Sequence, residues 1–501
     1  MFEPPLRSAI IIGLFALLAV LSYFTFSYNS AFAQPEPGPQ VTANNYTKND
    51  YAAKFSCFEK DDQDNLVVNK TTGFLTPCAI DTGDNAWMLA SAALVLMMTP
   101  GGLAIFYSGL ARQKNAVNTL HMVFITTGII AVQWVLWGYS LAFGPDATGH
   151  GFIGTLDWAG LRGVLHDVPS DVYGGINGPT IPHMTYMAFQ MMFAIITPAL
   201  IVASLAERMK FSAFVIFIIL WATFVYDFAA HWTWSLGSGG TAVGWTGALP
   251  SLDFAGGTVI HITSGWSGLV IALMIGRRLG YGKIPMEPHN ISLIVLGAAL
   301  LWVGWFGFNA GSAGAARSNA TSAFVATQTA TAMAAVTWAL VSWAHTGRPS
   351  TIGAASGAVA GLVAITPASG YVSPMSSIII GIAASVFCYA AVIFKNRRKW
   401  DDALDTWGVH GIGGLVGALL TGTFAETRFT PIADGLAFGN PQQFVNNAIG
   451  AFASLAWAMG ITAAIIKIMD IVWPQGIRVT PKEEEIGLDL AQHGERAYVT
   501  E

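Results

Sequence analysis

Eleven long apolar segments, each able to cross a bilayer as a helix, dominate the chain between residues 86 and 472. In the hydrocarbon core, about 20 apolar residues span the membrane, and only helices or closed barrels satisfy their own backbone hydrogen bonds. Charged residues make up 11% of the 501 residues, against about 25% in soluble proteins. The sequence therefore predicts an all-α polytopic membrane protein with eleven transmembrane helices. The predicted spans lie near residues 86–107, 117–143, 184–206, 211–232, 255–276, 289–310, 321–345, 351–367, 375–394, 407–425 and 443–472.

Lysines and arginines are distributed unevenly over the loops between these spans. Alternate loops hold twelve of them, and the intervening loops hold three. Because positive residues accumulate in cytoplasmic loops, the N-terminus is predicted outside and the C-terminal tail, residues 474–501, in the cytoplasm. The net charge of −5 and the lack of a basic arm give no sign of nucleic-acid binding. The twelve residues are Arg112, Lys114, Arg208, Lys210, Arg277, Arg278, Lys283, Arg348, Lys395, Arg397, Arg398 and Lys399.

The N-terminal region has the features of a secretory signal peptide, predicted over residues 1–33. A positive residue, Arg7, precedes an apolar stretch, and the small-residue cleavage pattern AFA follows it. An uncleaved first helix is the alternative. The polar residues 34–84 are then an extracellular extension before the membrane domain of residues 85–473. Cys57 and Cys78 lie in this extension, and export favours a disulfide between them, with two unpaired thiols as the alternative.

Two histidines lie inside apolar segments, and each follows an aspartate by eight residues. Asp253 precedes His261, and Asp402 precedes His410. An ionisable group at membrane depth is costly and is usually functional, although a lone histidine often only bonds a neighbouring helix. The repeated spacing indicates an internal duplication of five spans each, plus one extra helix. Because five is odd, the second repeat is inverted, and one histidine from each half meets at a shared axis.

Several other polar groups have simpler interpretations. Glu207 and Arg208 are adjacent at a helix end and are expected to form a structural ion pair. Asp227 lies inside the fourth span and is expected to bond a polar group on a neighbouring helix. His121, His231 and His345 are expected to be structural histidines.

Six motifs, in order along the chain, carry a resemblance to the Amt/Mep/Rh family of ammonium transporters, and to its Amt branch in particular. The resemblance covers roughly residues 85–500, and the extension of residues 34–84 is not part of the common pattern. It implies a fold of eleven helices, a homotrimer with one pore per subunit, and a PII-type regulatory protein as a partner at the cytoplasmic face. The motifs are SLAERMKFSA (204–213), LDFAGGTVIHI (252–262), GWFGFNAGSAG (304–314), AGLVAITPASGY (360–371), DTWGVHGIGG (405–414) and EIGLDLAQHGERAY (485–498).

The resemblance also implies a role for each matching residue. It implies an outer cation site, a gate of two stacked phenylalanines and a pore lined by two histidines, with an aspartate at each end. Without the resemblance, the aromatic residues are more often belt or packing residues, and Asp253 is a helix cap. The matching residues are Phe189, Trp234, Ser312 and Asp253 for the outer site, Phe193 and Phe308 for the gate, and His261, His410 and Asp402 for the pore.

The predicted function is ammonium transport across the cell membrane. Ammonium binds at the outer aromatic site and loses a proton, ammonia crosses the histidine pore, and the proton crosses separately, so that transport is electrogenic. No cofactor, metal or enzymatic activity is expected. The alternatives are an ammonium sensor with little flux, an electroneutral ammonia channel, and a redox enzyme that binds haem through the two histidines.

Overall fold

The computed structural model describes residues 67, 78–170, 179–237 and 241–498. The predicted signal peptide and nearly all of the extension lie outside the described residues. Cys57 is among the residues outside, so its disulfide with Cys78 stays a prediction, as do cleavage of the signal and the role of the extension.

The described part of the chain is helical at all eleven predicted positions. Nine of these helices are long and apolar enough to cross a membrane, and α8 and α10 are shorter. An all-helical membrane protein is therefore confirmed, whereas eleven membrane crossings, the inverted repeat and the orientation of the termini stay predictions. In chain order the helices are α1 (Thr82–Leu110), α2 (Gln113–Phe143), α3 (His183–Leu205), α4 (Phe211–Trp234), α5 (Gly257–Met274), α6 (Ile291–Gly311), α7 (Ser318–Thr346), α8 (Thr351–Ile365), α9 (Pro374–Arg398), α10 (Ile412–Phe424) and α11 (Pro441–Val472).

Helices α5 and α10 cross at the centre of the molecule. A side chain at Gly265 would place its Cβ 2.1 Å from the backbone nitrogen of Gly411, so the crossing requires glycine at this position. Both helices begin with a π-helical turn, Gly257–Ile262 in α5 and Trp407–Gly411 ahead of α10, and each turn contains one of the two histidines. Small residues thus let the two backbones approach closely and bring the histidine turns together.

The C-terminal segment packs against one end of the helix bundle, which we call the tail face. Backbone hydrogen bonds join Lys210 to Ile477 and Val479 to Arg208. Further along, the carboxylate of Asp489 accepts a hydrogen bond of 2.8 Å from the backbone N–H of Asn118 in α2. The tail therefore docks against the helix ends at this face.

The expected ion pair between Glu207 and Arg208 is wrong. Glu207 pairs with Arg112 and Arg278, and Arg208 lies 3.4 Å from Asp401. The backbone at Glu207 has a φ of 68°, in the left-handed region, so the chain turns sharply between α3 and α4. The turn directs the neighbouring side chains to different partners.

The expected bond of Asp227 to a neighbouring helix is present, because Gln133 of α2 donates a hydrogen bond of 3.0 Å to it. His231 and His345 also have structural partners, the carbonyl of Ala142 and the hydroxyl of Tyr389. These three groups therefore join neighbouring elements, as the sequence indicated.

Candidate functional site

A cavity of about 460 Å³ lies at the end of the bundle away from the tail, and we call it the vestibule. Its wall is built from the outer ends of α3, α4 and α6 and from the loop that leads into α5. All four predicted outer-site residues line the vestibule. Three of them are Phe189, Trp234 and Ser312, and the fourth is Asp253. The hydroxyl of Ser312 donates to the carbonyl of Phe308 at 2.9 Å, which leaves the lone pairs of the hydroxyl oxygen as acceptors.

Aromatic rings close the floor of the vestibule. Phe193 lies four residues after Phe189, so both rings point from one face of α3, with their centroids 4.8 Å apart. The ring of Phe193 also lies edge-on to Phe308 of α6, with centroids 4.5 Å apart, and 6.1 Å from the ring of Trp234. Phe193 and Phe308 are both buried. The two residues predicted as a gate are therefore in contact directly beneath the residues predicted as a cation site, but their rings meet edge-on at 66° and are not stacked as the resemblance implied.

Asp253 is the fourth predicted outer-site residue, and its carboxylate is occupied by backbone groups. One oxygen accepts from the N–H groups of Gly256 and Gly257 at 2.8 and 2.7 Å, and the other accepts from Thr258 and Val259 at 2.8 and 3.1 Å. A charged acceptor at this place satisfies the free donors of a helix start and suits its dipole. Asp253 thus fixes the beginning of α5, and its backbone carbonyl accepts from the indole of Trp234 at 3.0 Å.

Below the aromatic floor, the two histidines meet. Nδ1 of His261 and Nδ1 of His410 are 3.3 Å apart, and both side chains are buried. One of these nitrogens must donate and the other accept, which fixes one tautomer for each ring. Nε2 of His261 forms no hydrogen bond with any described residue. The histidine pair thus offers a polar nitrogen inside an otherwise apolar passage.

The ring of His261 is continuous with the aromatic floor. It stacks on Trp305 with centroids 5.4 Å apart and on Phe308 at 6.1 Å. Trp305 was missed by reasoning from the sequence, although it lies three residues before Phe308 and so shares its helix face. That spacing within GWFGF was the signal that pointed to it.

Asp402 lies at the opposite end of the histidine passage, near the tail face. Its carboxylate accepts from the backbone N–H of Trp407 at 2.9 Å and from the hydroxyl of Ser204 in α3 at 2.7 Å. The ammonium group of Lys395 donates to the backbone carbonyl of Asp402 at 2.6 Å and pairs with Asp405. A buried cation, the ammonium group of Lys395, therefore lies next to Asp402.

The sequence reasoning also missed a polar part of the vestibule wall. Gln190 and Asn319 line the cavity beside the aromatic residues. Gln190 donates to the hydroxyl of Tyr186 at 3.1 Å, and its own carbonyl oxygen has no hydrogen-bond donor among the described residues. The only feature of the sequence that pointed to Gln190 as a vestibule residue was its position directly after Phe189. A single polar residue in an apolar span is weak evidence for a site.

A vestibule whose described lining residues include one acidic and no basic side chain, a closed aromatic floor and a buried histidine pair lie in succession. Together with the apolar helices, they define a polytopic membrane protein with an aromatic-floored cavity and a buried histidine pair.

The chain belongs to the ammonium transporter family. The model of the Ammonium Transporter Family matches residues 86–498. An ammonium transporter of Bacillus subtilis is 46% identical over 418 residues, which are 83% of this chain and 98% of that protein. The crystal structure of Saccharomyces cerevisiae Mep2 has a TM-score of 0.76 at 36% identity and covers 84% of this chain and 94% of its own. A structure described as a sensor Amt protein has a TM-score of 0.73 at 28% identity, over 82% of this chain and 98% of that one.

Proposed function

We propose that this protein transports ammonium across the cell membrane by separating the ion into ammonia and a proton. The observation that carries the proposal is the succession of vestibule, closed phenylalanine floor and histidine pair along one line. The membership of the family and the name of the Bacillus subtilis relative support ammonium as the substrate.

Recruitment of the ion takes place in the vestibule. A compact cation is attracted to aromatic faces by about 0.5–2 kcal/mol, and Phe189 and Trp234 offer two such faces. The hydroxyl oxygen of Ser312 supplies a hydrogen-bond acceptor, and Asp253 contributes negative charge to the wall without needing to touch the ion. The vestibule is lined by no lysine or arginine among the described residues, which favours a cation over an anion.

Deprotonation follows because the passage below is closed and apolar. Moving an intact ion through it would cost several kcal/mol in lost hydration. Ammonia avoids that cost, since it is neutral and can donate to or accept from Nε2 of His261. Potassium carries the same charge but has no proton to release, so this step provides selectivity against it.

The proton crosses separately, along the histidine pair and transient water, and the net movement is electrogenic. A charged imidazole next to a second one at 3.3 Å is unfavourable in an apolar site, so both rings rest in the neutral form. A proton taken up at the free Nε2 of one ring, transfer of the shared proton between the two Nδ1 atoms and release of the Nε2 proton of the other ring would move one proton across the pair and leave both rings neutral with their tautomers exchanged. The histidines thus act in proton passage as well as in guiding ammonia.

The vestibule faces outward and the tail face lies in the cytoplasm in this proposal, in accordance with the distribution of lysine and arginine. The protein is a multi-pass protein of the cell membrane and assembles as a homotrimer. A PII-type protein binds at the tail face. The trimer and the PII partner are proposed from the family resemblance alone.

Current measurements on a solid-supported membrane test the mechanism. An ammonium concentration jump is applied to the wild-type protein, to His261→Ala and to His410→Ala, with a potassium jump as the substrate control. His345→Ala serves as the matched variant, since His345 is an exposed histidine bonded to Tyr389. We expect an ammonium current in the wild type and in His345→Ala, and its loss or a loss of selectivity in the two pore variants. Equal currents in all four proteins would contradict the mechanism.

Ammonium sensing is a second candidate, favoured by the structural similarity to the sensor Amt protein. It predicts that ammonium binds without a current. An electroneutral ammonia channel also gives no current, but vesicles that contain it take up ammonia and change their internal pH. Binding and vesicle uptake therefore separate the three functions.

A further inference from the structure

Asp227 is a buried carboxyl group that the proposed transport path does not use. It lies in α4, seven residues before the end of that helix at Trp234, or about 10 Å along the helix axis. Its side chain has no exposed surface, and it does not line the vestibule.

The amide of Gln133 in α2 is the hydrogen-bond partner of Asp227. Nε2 of Gln133 donates to Oδ2 of Asp227 at 3.0 Å, and it lies 3.4 Å from the hydroxyl of Thr223. The other oxygen of each group, Oδ1 of Asp227 and Oε1 of Gln133, has no hydrogen-bond donor among the described residues. Two buried acceptors are therefore unsatisfied within one hydrogen-bonded pair, and buried acceptors are rarely left so.

The surroundings of Asp227 contain no compensating cation. None of the ion pairs among the described residues includes Asp227. The titratable groups that adjoin it are Tyr226 on α4 and, beyond Tyr226, Tyr186 on α3, while α2 contributes the neutral amide of Gln133. His231, one turn further along α4, bonds the carbonyl of Ala142. An ionised carboxylate in such a place is far more costly than a neutral carboxylic acid.

We propose that Asp227 is a proton-binding site, in which the acid O–H on Oδ1 donates to Oε1 of Gln133. The carboxylic acid and the amide then form a cyclic pair with two hydrogen bonds, one in each direction, between α4 and α2. A protonated carboxyl has one donor, and the amide oxygen has a free lone pair to receive it. One proton thus satisfies both unpartnered atoms and removes the buried charge.

The backbone around the pair is adapted to it. A side chain at Gly138 would place its Cβ 2.6 Å from Oε1 of Gln133, so glycine makes the room in which the amide lies. A π-helical turn, Trp134–Gly138, begins directly after Gln133, and a second one, Ala222–Tyr226, ends directly before Asp227. Such turns are rare and are frequently found at functional sites. Two of them next to one acid–amide pair support a built site rather than an accidental contact.

Infrared difference spectroscopy tests the protonation of Asp227 in the full-length protein in lipid vesicles. The spectrum of Asp227→Asn is subtracted from that of the wild type near neutral pH, in water and in heavy water. Asn has the same shape and can form an amide–amide pair with Gln133, so we expect the variant to fold. The expected difference is a carboxylic-acid C=O band that is present in the wild type, shifts in heavy water and is lost in the variant. Loss of a carboxylate band instead would overturn the proposal.

A pair of glycine variants tests the geometry without changing the carboxyl group. Gly138→Ala displaces the amide of Gln133, whereas Gly128→Ala, on the same helix with no atom within 4 Å of the added Cβ, does not. We expect Gly138→Ala to shift the frequency of the acid band and Gly128→Ala to leave it unchanged. An unshifted band in Gly138→Ala would show that the acid does not bond Gln133. Neither result depends on the transport activity proposed above.

Discussion

The two buried aspartates of the central passage follow the same spacing in the sequence but are held in different ways. Asp253, at the vestibule, accepts four backbone N–H groups and caps the start of α5. Asp402, near the tail face, accepts one backbone N–H and the hydroxyl of Ser204, which ties the start of the second histidine turn to α3. One group is a helix cap, and the other is a link between two helices.

The charges around the two aspartates differ as well. Among the described residues, the vestibule is lined by a single carboxylate and no basic side chain. At the other end, Lys395 lies on the backbone of Asp402, and the buried Arg208 and Arg278 surround Asp401 next to it. Among the described residues, the carboxylate at the vestibule therefore has no basic neighbour in the cavity wall, whereas the cations near the tail face are paired with carboxylates. The two Asp–His motifs thus share their spacing, while the charged surroundings of their aspartates differ.

The largest difference in stability between variants of the two aspartates is expected when each carboxylate is removed by substitution with alanine. Asp253→Ala leaves four backbone donors without an acceptor, and we expect a loss of at least about 3 kcal/mol of stability and no ammonium current. Asp402→Ala leaves one backbone donor and a hydroxyl that can turn elsewhere, and we expect a loss of about 1–2 kcal/mol. Thermal unfolding in detergent compares the two. Equal losses would mean that the four bonds of Asp253 contribute no more than the two of Asp402.

Replacement of His261, on the vestibule side, should have a larger effect on selectivity than replacement of His410. His261 contacts Trp305 and Phe308 as well as His410, so His261→Ala disturbs the aromatic floor and also leaves His410 without its partner. We expect a loss of at least tenfold, or about 1.4 kcal/mol, in ammonium-over-potassium selectivity for His261→Ala and a smaller loss for His410→Ala. Currents at matched protein density measure both. A larger defect in His410→Ala would contradict the assignment of the gate to the side of His261.

Asparagine variants sharpen the comparison of the two aspartates at constant shape. Asn has one acceptor oxygen, so Asp253→Asn loses about two of the four backbone bonds and the charge that strengthens the others. Asp402→Asn loses only one of two bonds. We expect Asp253→Asn to be less stable than Asp402→Asn by about 1 kcal/mol. Unfolding curves of the two proteins, recorded together, give the difference, and the reverse order would refute the capping role.

The smallest effect is expected at the tail face, where His493 packs against the helix ends. Burial and the neighbouring His121 lower the pKa of His493 below its ordinary value, although Glu495 opposes them. A lowered pKa means that the docked tail favours the neutral ring. Docking is therefore strongest above the ordinary pKa of 6.5 and weakens as the pH falls below it toward the lowered value.

Hydrogen exchange of the tail amides at pH 8 and pH 5 measures this effect. One proton changes the docking equilibrium by at most about tenfold per pH unit, and the partial exposure of the ring reduces that further. His493→Gln retains a donor for Asn118 and should remove the dependence. Tail exchange with the same pH dependence in His493→Gln would assign the effect to another group.

The sequence predicted the individual helices well because each depends on its own apolar residues. The face shared by Phe189 and Phe193 and the capping position of Asp253 were also local properties, set by a spacing of four residues and by the start of a helix. The ion-pair partners of Glu207 could not be predicted from local spacing. Arg112 and Arg278 come from distant loops, and the sequence offered the adjacent Arg208 as a closer choice.

The sequence by itself determined an all-helical membrane protein of the ammonium transporter family, the positions of its helices and the two Asp–His pairs. Only the tertiary structure decided that Nδ1 of His261 and Nδ1 of His410 lie 3.3 Å apart, 149 residues away from each other along the chain. It also decided that Asp253 and Asp402 have different partners. The physical reason is that hydrophobicity and capping act within one helix, whereas these distances are set by the close packing of two helices at Gly265 and Gly411.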